Sequence, residues 1–252
     1  MSPVALISGG QRGIGLGVAR ALAGEGFAVA LVAEVPEDAP EVAAALAELG
    51  ERARYMRHDL RDVAAAGALV ERVEAELGPI TTLVSNAGVP ARVRGDMLDV
   101  TPENFAFVMD VNAAGAFFLA QAVARRMVSQ PPEHYRALVF VTSVSAEMVS
   151  VERAEYCVSK AAASVVAQLF AARLAAEGIG VFELRPGIIE TDMTRAVKDA
   201  YTPRIEGGLV PARRWGVPDD IAAAVVPLVT GAMGFSQGAV IPIDGGLSIP
   251  RL

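Results

Sequence analysis

Cysteine, histidine and basic residues are scarce in this chain of 252 residues. The single cysteine, Cys157, excludes an internal disulfide and a cysteine-ligated metal cluster, and we expect no metal site. The chain has 22 lysine and arginine residues against 29 aspartate and glutamate residues, a formal charge of −7. This acidic balance disfavours a nucleic-acid-binding protein, which needs a basic surface to neutralise phosphates.

Several catalytic signatures are also missing. The chain has no G-x-S-x-G motif and only two histidines, His58 and His134, which disfavours a Ser-His-Asp hydrolase. A phosphate-binding P-loop needs Gly-Lys-Ser or Gly-Lys-Thr after its glycines, and Gly-Ile-Gly stands there instead. Phosphoryl transfer is therefore disfavoured.

Signals for export or membrane insertion are weak. The first residues contain no basic segment, long apolar region or cleavage site, so we expect a cytoplasmic protein. Residues 221–243 are uncharged over the length of a membrane span, but Pro227, Gly231, Gly234 and Pro242 interrupt them. We interpret this segment as a helix, a turn and a short strand.

Apolar runs of strand length alternate with segments of helical period along the whole chain. The hydrophobic fraction of 53% promises a large core, and runs such as AVALVA are typical of strands buried on both faces of a parallel sheet. This alternation predicts a doubly wound α/β fold, a Rossmann-type three-layer α/β/α arrangement, in one domain over residues 1–252. We expect strands near residues 4–8, 27–33, 53–58, 80–84, 137–142, 180–185 and 239–243, and helices near residues 13–25, 38–50, 62–77, 103–129, 155–178 and 218–230.

Two stretches follow strands without a clear pattern of their own, residues 86–102 and 187–217. Long loops at the carboxyl ends of parallel strands are usually functional. The second mixes apolar with basic residues, and we interpret residues 187–217 as a substrate lid.

Two helices lack the charged outer face of a helix that lies on a sheet, since residues 111–124 and 161–172 contain no charge. We expect the helices at 103–129 and 155–178 to bury this face against other subunits in a symmetric assembly, a homotetramer.

A glycine cluster follows the first strand and opens the first helix. It comprises Gly9, Gly10, Gly13, Gly15 and Gly17, with a spacing that differs from G-x-G-x-x-G. Glycine permits a tight turn and brings bare backbone close to a pyrophosphate, which the amides at a helix N-terminus attract. The cluster therefore predicts dinucleotide binding.

Tyr156 and Lys160 lie one turn apart at the start of a predicted helix, and Ser143 precedes Tyr156 by thirteen residues. Together with the glycine turn, this spacing resembles the short-chain dehydrogenase/reductase family over the whole chain. Further segments agree with the family in order: Asp59, Asn86-Ala87-Gly88, Asn112, the run Pro186-Gly187-Ile188-Ile189-Glu190-Thr191-Asp192, and Asp244-Gly245-Gly246.

The resemblance implies an oxidoreductase that interconverts a ketone and a secondary alcohol by hydride transfer. In this reading Tyr156 exchanges the proton, and Lys160 lowers the pKa of Tyr156. Ser143 stabilises the substrate oxygen. Asn112 holds a water that links the lysine to solvent. The implied cofactor contacts are Gly9, Gln11, Arg12, Gly13, Ile14, Gly15, Glu34, Asp59, Leu60, Asn86, Ala87, Gly88, Tyr156, Lys160, Pro186, Gly187, Ile189 and Thr191.

The choice between NAD and NADP depends on two residues with opposite effects. Glu34 lies at the end of the second strand, one position beyond the usual acidic site, which holds Ala33. A carboxylate there repels a 2′-phosphate, whereas Arg12 in the glycine turn could attract one. We favour NAD.

The sequence does not decide between several classes of substrate. PGIIETDM and the final DGG resemble the 3-oxoacyl-[acyl-carrier-protein] reductases of the family, but Glu177 stands where those enzymes carry a carrier-binding arginine. A small polyol, sugar, hydroxy acid or cyclic alcohol is the alternative. A non-catalytic dinucleotide-sensing protein is another, although it would not need Asn112, Ser143, Tyr156 and Lys160 together.

Overall fold

The computed structural model describes residues 2–131 and 133–251. Their seven strands form one parallel sheet in the order β3-β2-β1-β4-β5-β6-β7. The direction of winding reverses between β1 and β4, which is the switch point of a doubly wound fold. The strands are β1 Val4–Ser8, β2 Ala28–Ala33, β3 Ala53–Arg57, β4 Ile80–Ser85, β5 Arg136–Val141, β6 Ile179–Pro186 and β7 Val240–Ile243.

Helices cover both faces of the sheet and make two apolar cores. One core lies between the sheet and α1, α2 and α8, and the other between the sheet and α3, α5 and α6. The predicted three-layer fold is confirmed. The helices are α1 Gly13–Gly24, α2 Pro40–Leu49, α3 Ala66–Leu77, α4 Pro102–Met109, α5 Ala116–Ser129, α6 Ala154–Leu174, α7 Lys198–Arg204 and α8 Pro218–Val229.

The strands at the two ends of the sheet differ from those inside it. Every residue of β1, β4 and β6 is buried, as expected for strands covered on both faces. At one edge β3 exposes Arg54 and Arg57, and at the other β7 is partly exposed and contains Pro242. The edges are therefore the most polar or irregular strands of the sheet.

The helix expected over residues 103–129 is interrupted. Residues Asp110–Gly115 form a π-helical segment between α4 and α5. Such segments insert one extra residue into a helix and often mark functional sites. The stretch 187–217 also contains structure that the sequence pattern did not predict, the short helix α7.

Two helical stretches, Pro102–Ser129 and Val151–Glu177, are long and apolar enough by composition to cross a membrane. Both belong to helices that pack on the sheet, and 44% of the most apolar window of each is buried. Their outer faces expose large apolar side chains: Phe105, Phe118, Val128, Val158, Val165 and Leu169.

Candidate active site

Ser143, Tyr156 and Lys160 converge beyond the carboxyl end of β5. Ser143 lies two residues after the strand, and its Oγ accepts a hydrogen bond from the Ser145 amide at 3.0 Å. A further hydrogen bond joins the Ser143 and Tyr156 side chains. The Lys160 Nζ lies 5.8 Å from the centroid of the Tyr156 ring and donates to the Val141 carbonyl at 3.2 Å.

Asn112 belongs to the π-helical segment, and its side chain reaches the turn that follows β4. Its Oδ1 accepts from the Val89 amide at 2.8 Å, and its Nδ2 donates to the Val89 carbonyl and to Ser159 Oγ, both at 3.0 Å. A Cβ on Gly88 would lie 3.2 Å from Asn112 Oδ1 and 3.3 Å from Lys160 Nζ. The four predicted catalytic residues therefore meet at one place.

The glycine turn has the tight geometry expected of it. Gly9 and Gly13 have φ values of +67° and +54°, which L side chains rarely adopt. A Cβ on Gly15 would lie 2.1 Å from the Gly9 carbonyl oxygen. Gln11 Oε1, in the same turn, is buried and has no hydrogen-bond partner within residues 2–131 and 133–251. These features fit a backbone cradle for a dinucleotide.

Two further segments border this turn. The Asn86 Nδ2 donates to the Ser8 and Gly9 carbonyls at 2.9 and 3.3 Å, so Asn86 also braces β1 against β4. On the opposite side, a Cβ on Gly13 would lie 3.5 Å from Thr191 Cγ2. Gly13 of the turn and Thr191 thus line the same cavity, together with Glu190.

Other predicted cofactor residues are exposed or are engaged elsewhere. Glu34 is exposed at the end of β2, and Arg12 is exposed at the start of α1. Asp59 is paired with Arg61 at 2.5 Å, and hydrogen bonds from that guanidinium lower the pKa of Asp59. Leu60 is buried, and it lies so close to Gly115 that a Cβ there would be 2.7 Å away.

Comparisons with known proteins agree with this geometry. A family model described as enoyl-(acyl carrier protein) reductase matches residues 9–248. The chain is 34% identical over 247 residues to the 3-oxoacyl-[acyl-carrier-protein] reductase MabA of Mycobacterium tuberculosis, covering 97% of this chain and 92% of that protein. It is 32% identical over 247 residues to 2-dehydro-3-deoxy-D-gluconate 5-dehydrogenase of Dickeya dadantii, covering 96% and 94%.

A solved structure has a higher sequence identity to this chain than these two relatives. The 3-oxoacyl-[acyl-carrier protein] reductase from Brucella melitensis, in complex with NAD, is 45% identical, with a TM-score of 0.95 and coverage of 100% of this chain and 99% of that one. The chain is a short-chain dehydrogenase/reductase. The resemblance drawn from the sequence is confirmed, and with it the oxidoreductase class of the protein.

In this dehydrogenase/reductase the pKa of Tyr156 is raised, whereas the sequence predicted that it would be lowered. Burial raises the pKa of Tyr156 above its ordinary value, and the hydrogen bond from Ser143 and the charge of Arg153 lower it by less. The expected lowering by Lys160 is not found: burial outweighs the effects of Ser143 and Arg153, and Lys160 is not among the groups that shift the pKa of Tyr156.

Lys160 is itself perturbed. Burial lowers the pKa of Lys160 to about 8, and the negative charge of Glu183 opposes this. The ammonium therefore predominates only below about pH 8.

Two charged residues at the dehydrogenase/reductase site were not predicted from the sequence. The Arg153 guanidinium lies 5.5 Å from the centroid of the Tyr156 ring, and Glu183 is buried in β6 next to Arg185. A signal for the second existed in the sequence, because Glu183 and Arg185 are charges within an otherwise apolar strand run.

Proposed function

We propose that this enzyme reduces small 3-oxoacyl thioesters with NADH and does not depend on an acyl carrier protein. The convergence of Ser143, Tyr156 and Lys160, with Asn112 behind them, carries the proposal. When bound, the cofactor supplies or accepts the hydride. Groups of this chain then have to bind the substrate oxygen and move one proton.

Each of the four side chains has a role that its position allows. Tyr156 gives its phenolic proton to the substrate oxygen in reduction and takes it back in oxidation. The Ser143 hydroxyl donates a hydrogen bond to the same oxygen as negative charge develops on it. Lys160 lies beside the Tyr156 ring and holds the end of β5 at the Val141 carbonyl, and Asn112 fixes the turn at Val89.

NAD is the proposed cofactor. Glu34 is exposed at the end of β2, and the Tyr55 hydroxyl lies within hydrogen-bond distance of the carbonyls on either side of it, 3.0 Å from that of Ala33 and 2.6 Å from that of Val35. A carboxylate there accepts hydrogen bonds from a ribose and repels a 2′-phosphate. The NAD complex of the Brucella melitensis reductase supports this choice.

Glu34→Ala should narrow the preference for NAD over NADP. We expect the ratio of the two Kd values to fall by about tenfold, ~1.4 kcal/mol, because the repulsion of the 2′-phosphate is removed. Fluorescence titration with NADH and NADPH measures both. An exposed acid elsewhere, Glu71→Ala, serves as the control. Tighter binding of NADP by the parent protein would refute the assignment.

Several groups that an acidic carrier could meet are already engaged in ion pairs. Glu177, at the position of a carrier-binding arginine, pairs with Arg173 at 2.9 Å and so neutralises it. Three basic residues of the 187–217 segment are also paired with acids, Arg195 with Asp192, Lys198 with Glu190, and Arg214 with Asp220. Local pairing of this kind weakens electrostatic steering of an acidic partner.

A direct comparison of substrates tests this proposal. We expect similar kcat/KM values for a 3-oxoacyl group on a small thioester and the same group on the carrier protein. A hundredfold preference for the carrier-bound form, about 2.7 kcal/mol of differential transition-state binding, would make the carrier the physiological partner. Absence of turnover with both would refute thioester reduction.

Oxidation of a small hydroxy acid is the second candidate, and Arg153 favours it. This half-buried guanidinium lies over the Tyr156 ring and forms no ion pair within the described part of the chain. A substrate carboxylate beside the reacting carbon would supply the missing partner. A panel of secondary alcohols with and without a carboxylate, assayed with NAD, distinguishes this candidate.

We propose that residues 187–217 close over the substrate. Met193 is half-exposed, whereas Ile205 and Val210 are buried against the protein. The Trp215 Nε1 donates to Thr202 Oγ1 at 3.1 Å, which ties α7 to the far end of the segment. The segment is thus anchored at its far end and exposed near Thr191.

The protein is proposed to be a cytoplasmic homotetramer formed through α5 and α6. Both helices expose apolar side chains, with Val165 and Leu169 more than half exposed. Sedimentation at micromolar concentration should show about four copies of the 26.2 kDa chain. Val165→Glu combined with Leu169→Glu should dissociate them, whereas a monomeric parent protein would contradict the proposal.

A further inference from the structure

A buried carboxylate lies behind the catalytic residues, on β6. Glu183 is 2% exposed, and its two oxygens accept four hydrogen bonds. The donors are Thr142 Oγ1 (2.6 Å) and Arg185 Nε (2.7 Å) at Oε1, and Ser164 Oγ (2.8 Å) and Arg185 Nη2 (3.4 Å) at Oε2. Every acceptor position of the carboxylate is used, so the network fixes its orientation.

The network ends next to two catalytic residues. Thr142 immediately precedes Ser143, and Ser164 lies one helical turn after Lys160. Glu183 thereby ties the end of β5 and the helix α6 to the same point of β6. Arg185 extends the network to Glu147, in the segment that follows Ser143.

Stability alone does not account for this pair. Replacing a buried ion pair by apolar side chains of similar volume is often neutral or stabilising, so a strand such as β6 would fold without it. The groups around Lys160 point to another role. Its described neighbours on β5, in the 86–88 turn and in the π-helical segment are neutral. The titratable groups near it are Tyr156 on its own helix and Glu183 on β6, which is paired with Arg185.

We propose that Glu183 is a positioning residue for hydride transfer. Its hydrogen bonds set the spacing between Ser143 and Lys160, and its charge keeps Lys160 an ammonium. This role goes beyond the choice of substrate and holds for either candidate function.

The direction of the pH effect follows from burial. A buried lysine loses its proton as pH rises through its lowered pKa, which for Lys160 is about 8. Without the negative charge of Glu183 the ammonium is lost at a lower pH. The upper pH limit of activity should then move down as well.

The chain allows a direct measurement, because Lys160 and Lys198 are its only lysines. Protein labelled with ¹³C at lysine Cε should give two NMR signals, and the signal of the exposed Lys198 serves as the internal reference. In Glu183→Gln we expect Lys160 to titrate at lower pH than in the parent protein. With a 3-oxoacyl thioester and NADH, we expect kcat to fall by about tenfold or more while the Kd for NADH stays unchanged.

Two further variants separate the effect of the Glu183 charge from the effect of its hydrogen bonds, and a double variant can replace Glu183→Gln. Thr142→Val removes the hydroxyl that donates to Glu183 and keeps the charge, so kcat should fall without a change in the Lys160 titration. Glu76→Gln removes an exposed carboxylate on α3 and should change neither quantity. If Glu183→Gln does not fold, the double variant Glu183→Leu with Arg185→Met replaces it, since an apolar pair avoids an unpaired buried charge.

An unchanged Lys160 titration in Glu183→Gln overturns the proposal, whatever happens to kcat. A shifted titration with kcat within twofold of the parent also overturns it, because the charge would then be irrelevant to turnover. The NMR measurement needs no substrate. Failure of the thioester as substrate therefore leaves this test intact and counts only against the proposed function.

Discussion

Tyr156→Phe is expected to lose nearly all turnover while binding NADH as the parent protein does. The substitution keeps the ring that packs beside Lys160 and Arg153 and removes only the hydroxyl that Ser143 contacts. The transferable proton disappears with it. General acid catalysis contributes about 10²- to 10⁴-fold, so kcat should fall by at least a hundredfold.

Steady-state kinetics and an NADH titration check this expectation. Tyr135→Phe is a matched control, because the Tyr135 hydroxyl is buried and has no hydrogen-bond partner within the described residues. Lys160→Ala should reduce both kcat and cofactor affinity, since Lys160 borders Gly88 as well as Tyr156. A Tyr156 variant that kept a tenth of the parent kcat would disprove the assigned role.

Gly15→Ala should abolish tight cofactor binding and destabilise the fold. The new Cβ would lie 2.1 Å from the Gly9 carbonyl oxygen and 2.8 Å from Asn86 Nδ2, so the turn or the end of β4 has to move. Overpacking of this kind costs about 1–3 kcal/mol of unfolding free energy. The displaced amides should weaken NADH binding by about tenfold or more, ~1.4 kcal/mol.

Gly24→Ala is the matched control in the same helix. A Cβ on Gly24 would meet no atom within 4 Å, and alanine at a helical position is more stable than glycine by about 0.5–1 kcal/mol. In thermal unfolding, Gly15→Ala should be less stable than the parent protein, and Gly24→Ala should be equally or more stable. In NADH titration, Gly15→Ala should bind more weakly and Gly24→Ala should bind as the parent protein does. Unaltered NADH affinity in Gly15→Ala would show that the glycine turn does not bind the cofactor.

The parts of the fold that depend on short-range patterns could be predicted from the sequence. Buried parallel strands need continuous apolar runs, and β1 and β2 lie within one residue of their predicted ends. The pair Tyr156 and Lys160 depends only on the period of one helix. The glycine turn is equally local, since the close approach of Gly15 to Gly9 requires the residue type itself.

Other features depend on contacts between distant segments. The π-helical insertion at Asn112 changes a helix by one residue, which the apolar period of residues 103–129 does not reveal. The pKa of Tyr156 depends on how deeply the start of α6 is buried, and the proposed role of Glu183 depends on partners just after β5 and in α6. Helix α7 contains Pro203 and has only seven residues, too few for a clear period.

The outer edge of β7 has a consequence for aggregation. The carbonyls of Ala239 and Ile243 accept hydrogen bonds from β6, so the backbone groups of the alternate residues Val240 and Pro242 face away from the sheet. Proline has no N–H, and an approaching strand would find one donor in place of two. At the opposite edge, Arg54 and Arg57 present charge. Copies of this protein that meet at β7 would therefore associate through side chains, and not by extending the sheet from one molecule into the next.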